Sequence, residues 1–157
     1  MRLIAIDPGS EQSAFVIWDG KRIFDKGILD NFEMRDMLRA FEKKLRHDYI
    51  IVIEEVQCYG MPVGKSIFET VYWSGIFSEA FPGTVHRMPR KDVKMHLCHT
   101  MRAKDSNVIQ ALVDRFAPFA KNRGKGVKSA PGFFFGFKKD IWQACALGVV
   151  FWDQNMS

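Results

Sequence analysis

Leu3-Ile4-Ala5-Ile6-Asp7-Pro8-Gly9-Ser10 decides how this chain is read. Four apolar residues follow one another without alternation, the pattern of a central strand buried on both faces. Asp7 stands at the C-terminal end of that strand, and Pro8-Gly9 break it at once. A carboxylate there is costly unless its charge is compensated, and a divalent cation compensates it well. A lone Asp-Pro-Gly ordinarily serves as a turn cap. The reading changes because Tyr49-Ile50-Ile51-Val52-Ile53-Glu54-Glu55-Val56 shows the same pattern, an unbroken apolar run that meets acid. Lying side by side and parallel, the two strands would bring their acids to one edge of a sheet, where open α/β sheets place their sites.

Outward from these strands, Ser13 to Trp18 reads as another strand, Asp19-Gly20 as a hairpin turn, and Lys21 to Ile28 as the returning strand. This hairpin extends the sheet antiparallel to the first strand. Asn31 is placed to cap a helix over 32–47, in which Met34, Met37, Leu38, Phe41 and Leu45 recur at helical spacing. Thr84 to Met88 is a short fifth strand. Residues 105–117 form an amphipathic helix through Val108, Leu112 and Phe116. The fold class is α/β: a five-stranded mixed sheet flanked by helices, in a single domain over residues 1–157. The helix over 65–81 carries Ile67, Phe68, Val71, Tyr72, Trp73, Ile76 and Phe77 around most of its circumference and so needs two burial partners. One is the sheet; the other is a second subunit or the C-terminal segment.

A chain of 157 residues suits one domain with a real core, and 47% hydrophobic residues with 14 Phe fit a packed globule. The sequence shows no N-terminal signal and no apolar run long enough to span a membrane. Cys58, Cys98 and Cys145 are scattered and odd in number, which fits reduced thiols and a cytoplasmic location. His96-Leu97-Cys98-His99 lacks the second half that zinc sites use. Gly60 to Ser66 looks like a P-loop, but three residues separate Gly60 from Gly64 where the motif needs four, so it reads as a Gly/Pro loop beside the acidic edge.

The net charge of +5 conceals an asymmetry. Residues 86–139 hold thirteen Lys/Arg against three acids, a balance of +10, and the remainder holds ten against fifteen, a balance of −5. So concentrated a basic segment points to a polyanionic partner, most simply nucleic acid. Arg90, Lys91, Lys121, Arg123, Lys125 and Lys128 are candidate phosphate contacts, the last four in a flexible basic loop over 121–128.

Ile6-Asp7-Pro8-Gly9-Ser10 and Ile53-Glu54-Glu55-Val56 resemble the first two catalytic segments of RuvC-type Holliday-junction resolvases, members of the RNase H-like superfamily. The likeness is nearest to the bacteriophage-encoded branch. Asp140-Ile141-Trp142-Gln143-Ala144 resembles the start of their final helix, where two acids stand three residues apart. Asp140 matches the first acid, while Gln143 falls at the second and supplies no charge. Spacing i, i+3 puts both on one helix face. Val93-Lys94 and Lys104-Asp105 resemble the segments that place two basic residues near the scissile phosphate, the second offset by one position. Gln57 replaces the Phe found early in the loop after the catalytic Glu, which leaves Tyr59 or Met61 to enter a junction.

The resemblance implies an RNase H-like fold and Mg²⁺-dependent cutting of four-way and other branched DNA by a homodimer. It implies two ions roughly 4 Å apart, with Mn²⁺ able to substitute, bridged by Asp7 and flanked by Glu54 and Asp140. Gln143, Lys94 and Lys104 complete the implied catalytic set. Glu55 is a substitute ligand by type, yet in an extended strand it points to the face opposite Glu54. Trp73, Ile76 and Phe77 are the candidate dimer interface. A second reading is a nucleic-acid-binding protein on the same scaffold with cleavage lost, which Gln143 permits. An actin-like ATPase also carries Asp-x-Gly-Ser after its first strand, but its two-domain body needs far more residues than this chain has.

Overall fold

Alternation along the first strand sends Leu3 and Ala5 into one hydrophobic cluster and Ile4 and Ile6 into another, so the strand is buried from both sides. In the computed structural model, which describes residues 1–41 and 45–157, this strand is β1 (Arg2–Asp7). It lies at the centre of a five-stranded sheet. β2 (Gln12–Trp18) and β3 (Ile23–Asp30) extend the sheet antiparallel on one side, and β4 (Tyr49–Glu55) and β5 (Thr84–Pro89) extend it parallel on the other. The order across the sheet is β3-β2-β1-β4-β5, the mixed topology expected from the sequence.

Helix α1 (Asn31–Arg39) and helix α2 (Lys65–Ala80) cover the Ile4/Ile6 face. The other face is covered by α5 (Ile141–Asn155), flanked by α3 (Arg90–Cys98) and α4 (Asp105–Phe116). Every residue from Ile141 to Phe151 is buried, as a helix apolar all round requires. Gly148 sets its distance from the sheet: a Cβ added there would lie 3.1 Å from the Ala5 Cβ. A large side chain at Gly148 therefore pushes α5 off β1.

Three expectations are corrected. The helix expected over 32–47 is α1, ending at Arg39; residues 42–44 lie outside the described residues, and 45–48 form a turn. The cap is Asp30, whose carboxylate accepts from Phe32 N at 2.9 Å. Asn31 is buried instead: its amide donates to the Gly9 carbonyl at 2.9 Å and its oxygen accepts from Ser13 Oγ at 2.6 Å. Gly9 N–H donates to the same Ser13 Oγ at 3.1 Å, so this small network fixes the turn that follows Asp7.

The second correction concerns residues 121–128, which hold short regular structure where a loop is expected. A 3-10 turn at Asn122–Gly124 runs into a two-stranded ribbon, β6 (Gly126–Val127) with β7 (Ala130–Pro131). The ribbon is anchored by Phe134, fully buried with its ring centroid 4.8 Å from that of Trp142.

The third correction concerns α2. Trp73 and Phe77 are buried in the chain's own core, against α1 and the sheet, with Ile76 half-buried against the same cluster, and they are not a free interface. The exposed apolar stripe of α2 is Ile67, Phe68, Val71 and Tyr72. Among the described residues, no helix is long and apolar enough to cross a membrane.

Candidate active site

β1 and β4 run parallel and in register up to Ile6 opposite Ile53. Asp7 and Glu54 are the next residue on each strand. They share a side of the sheet with Leu3, Ala5 and Val52, the side that α5 covers. Alternation turns Glu55 toward the other side, where with Val71 and Arg87 it lines a cavity that Glu54 also borders, while Glu55 still reaches the rim of the cavity that contains Asp7 and Glu54. Asp7 is buried, with 8% of its surface exposed, and the Glu54 side chain is 15% exposed.

Two carboxylates held this close cannot both ionise freely. Burial pushes the Asp7 carboxyl well above the usual carboxylate range; the Glu54 charge and a hydrogen bond with Glu54 raise it further, as does the Asp140 charge, while Arg90 pulls it back. The Arg90 guanidinium donates from Nη2 to Glu54 Oε2 at 3.1 Å. Its Nε is 2.9 Å from Glu54 Oε1, Nη2 is 3.6 Å from Asp7 Oδ2, and Nη1 is 3.7 Å from Asp105 Oδ1. The attraction of Glu54 and then Asp7 outweighs burial and raises the Arg90 pKa. Arg90, expected to meet phosphate, is thus the cation that balances the carboxylate pair.

Among the described residues, no three His, Cys, Asp or Glu side chains are gathered as a ready cage for a metal ion. The donor chemistry still fits a hard divalent cation. Asp7 and Glu54 offer only oxygen, they repel one another, and the Asp140 carboxylate is near enough to add to the repulsion. Asp140 is exposed at the N-terminus of α5, and Gln143, buried to 6% exposure, follows on the same helix.

Lys91 and Lys94, on the first turns of α3, line a cavity of about 410 Å³ together with Arg90, Tyr59 and Met101. Tyr59 and Arg90 also line an adjoining cavity of about 300 Å³ that contains Asp7 and Glu54. Tyr59 therefore stands beside the carboxylates, with its hydroxyl donating to Gln57 Oε1 at 2.9 Å. Met61 is more exposed and lines neither cavity. Lys104 is exposed at the cap of α4, next to the Asp105 that faces Arg90.

Lys121 and Arg123, at the 3-10 turn, and Lys128, between the two strands of the ribbon, are exposed, and Lys125 is half-buried. Beside them Phe119 projects wholly into solvent from a left-handed backbone, φ 62°. Phe119 was missed by the sequence reading; an aromatic between Pro118 and a basic run was the available signal. The Arg90 contact was also missed. The parallel pairing of β4 with β5 sets Pro89 opposite Glu55, so the residue that follows Pro89 emerges beside the acids.

No family model matches the sequence, and no curated protein does. The structure, however, is similar to Thermus thermophilus RuvC, with a TM-score of 0.62 at 16% identity, covering 98% of this chain and 96% of that one. It is similar to T. thermophilus RuvC in complex with Holliday junction substrate, at TM-score 0.60 and 13% identity over 96% and 92% of the two chains. A third likeness is to the Fowlpox virus resolvase in complex with substrate Holliday junction DNA, at TM-score 0.56 and 12% identity over 100% of each chain. The chain thus has the RNase H-like fold of RuvC-like resolvases over nearly its whole length.

Proposed function

We propose that this chain is a metal-dependent endonuclease that cuts four-way and other branched DNA as a homodimer. The observation that carries the reading is the pair of carboxylates, Asp7 and Glu54, at the adjoining ends of two parallel strands, with the Asp140 charge felt at Asp7. Asp7, Glu54 and Asp140 would hold the cations, and Gln143 offers a neutral oxygen on the same helix. Mg²⁺, or Mn²⁺ in its place, supplies an activated hydroxide and stabilises the leaving oxygen when bound. In this reading Lys91 and Lys94, which line the cavity adjoining the carboxylates, and the exposed Lys104 would meet the scissile phosphate and its neighbours, and Tyr59 in the same cavity would stack on an unpaired base. The basic ribbon tracks the backbone of a duplex arm.

The dimer is proposed through the exposed stripe Ile67, Phe68, Val71 and Tyr72. Ile67 lines the cavity that holds Asp7 and Glu54, so the stripe lies next to the acidic edge. Two-fold pairing there would hold two sites at a fixed separation, which paired cutting requires.

A second reading, a binding module on the same scaffold, is favoured by Gln143, which leaves the α5 face one charge short. A four-way junction and a matched linear duplex, each incubated with Mg²⁺, separate the two. Symmetrical nicks in the junction support the nuclease; junction binding with no nicks supports the module and sinks the enzyme.

A further inference from the structure

We propose that Arg90 is a resident counter-ion of the Asp7–Glu54 pair, that a divalent cation must displace it to enter, and that the displaced guanidinium then meets DNA phosphate. The inference rests on the nuclease reading only in placing the metal at these two carboxylates.

A positive charge beside the buried pair offsets the repulsion between its two carboxylates. Arg90 supplies it through the oxygens that a metal would use, Glu54 Oε1 at 2.9 Å, Glu54 Oε2 at 3.1 Å and Asp7 Oδ2 at 3.6 Å. A Mg²⁺ ion takes carboxylate oxygens at about 2.0–2.1 Å. A guanidinium left in contact with the same oxygens would face the ion at short range and be repelled by it. The two cations therefore compete.

The hold on Arg90 is also incomplete, so it is releasable. Nε is buried beside Glu54 Oε1 without the alignment of a hydrogen bond, and the contacts to Asp7 and Asp105 lie beyond hydrogen-bond length. A third of the side chain is exposed. It lies between the carboxylate cavity and the larger one lined by Lys91 and Lys94, so a rotation about its own stem carries it from the acids to the basic side. There its planar fork suits a phosphate.

Mn²⁺ binding to the DNA-free full chain, followed by calorimetry and by the electron paramagnetic resonance signal of free Mn²⁺, tests the competition. Arg90→Ala should bind Mn²⁺ about tenfold more tightly than wild type, and Arg90→Lys, which keeps the charge, should restore much of the weaker affinity. Equal or weaker binding by Arg90→Ala, or no binding by either protein, overturns the proposal. If Arg90→Ala does not fold without metal, the Nε–Hε resonance of Arg90 in the wild type serves instead. It should move to a solvent-exposed position as Mg²⁺ is added, and a resonance unmoved at saturating metal overturns the displacement. A protein that shows displacement but never nicks a junction refutes the nuclease and upholds the competition. One that nicks with an unmoved Arg90 does the reverse.

Discussion

Arg90 Nη2 donates to Glu54 Oε2 at 3.1 Å across the mouth of the two central parallel strands. The same guanidinium reaches Asp7, so one cation serves two acids that belong to different strands. We predict that Asp7→Asn, Glu54→Gln and Asp140→Asn each abolish junction cleavage, while junction binding is kept or tightened because less negative charge faces phosphate. Asp7→Asn should also raise the melting temperature of the metal-free protein, since an amide is cheaper to bury than a crowded carboxylate. A gain of about 1 kcal/mol corresponds to roughly 2–4 °C for a domain of this size. Wild-type cleavage by Asp140→Asn at limiting Mg²⁺ would remove Asp140 from the ligand set. Gln143→Ala should do less harm than these three, and Gln143→Asp should lower the Mg²⁺ requirement.

At the other end of α5, Asp153 accepts from Arg115 Nη1 at 2.6 Å and Nη2 at 2.9 Å, and lies 2.9 Å from His96 Nε2. Hydrogen bonding from Arg115 holds its carboxyl below the usual range, against burial, with His96 assisting. The folded state therefore binds this proton more weakly than the unfolded chain does. The stabilisation is present above the ordinary carboxylate pKa and is lost as pH falls through the depressed one. Asp153→Asn should cost on the order of 1 kcal/mol at neutral pH, because Arg115 is partly solvated and screened. It should also flatten the acid limb of a melting-temperature-versus-pH curve. An unchanged acid limb would show that the clasp joining α3, α4 and α5 carries no weight.

How far the sequence reached depends on distance along the chain. β1 and β4 were legible because unbroken apolar runs ending in acid have few other readings, and their parallel pairing followed from burial on both faces. Asn31 was misplaced because Asn is both a good cap and a good buried hydrogen-bonding group, and only the fold brings Ser13 to it. The apolar excess of α2 was legible, but its division was not: the register against α1 buries Trp73 and Phe77 and leaves Phe68 and Tyr72 outside. The ribbon near 121–131 read as flexible from its glycines, yet Phe134 pins it by packing on Trp142, which local composition does not reveal. Arg90 could be placed only by counting register across β4 and β5.

That division of α2 yields a paired prediction. Phe68→Asp with Tyr72→Asp should give monomers by light scattering with little change in melting temperature, and these should nick a cruciform plasmid without resolving it. Phe77→Asp should instead unfold the chain, since losing a fully buried Phe alone costs about 3–5 kcal/mol. A wild-type protein that is monomeric at micromolar concentration yet makes paired cuts would overturn the dimer.

For the ribbon, changing Lys121, Arg123, Lys125 and Lys128 together to Ala should weaken binding to every DNA shape. For every phosphate that goes unneutralised as a result, the plot of log affinity against log salt should flatten by about 0.9. Phe119→Ala should weaken binding to DNA with unpaired bases by about 1–3 kcal/mol if its exposed ring stacks on a base. An unaltered salt slope in the quadruple variant would mean that these charges serve only solubility.

Charge alone does not distinguish a junction from a plain duplex, because every duplex offers phosphates. Selectivity needs a group that uses the unstacked centre of the junction and lies close to where the strand is cut. Tyr59 meets both conditions: it is exposed, and it lines the cavity that holds Asp7 and Glu54 as well as the one that holds Lys91 and Lys94. A base stacked on its ring would bring the adjoining phosphate between the acids and the lysines. We predict that Tyr59→Ala leaves junction affinity nearly intact, because the basic surface supplies most of it, but slows cleavage by about 5- to 150-fold, equivalent to roughly 1–3 kcal/mol of stacking in the productive complex. Tyr59→Phe keeps the ring and removes only the hydrogen bond to Gln57, so it should cleave at close to the wild-type rate. Single-turnover cleavage of a junction by the three proteins, with binding measured in parallel in Ca²⁺, decides the matter. An unimpaired Tyr59→Ala moves the role to Met61, and equal impairment of Tyr59→Phe and Tyr59→Ala assigns the effect to the hydroxyl and its hydrogen bond with Gln57.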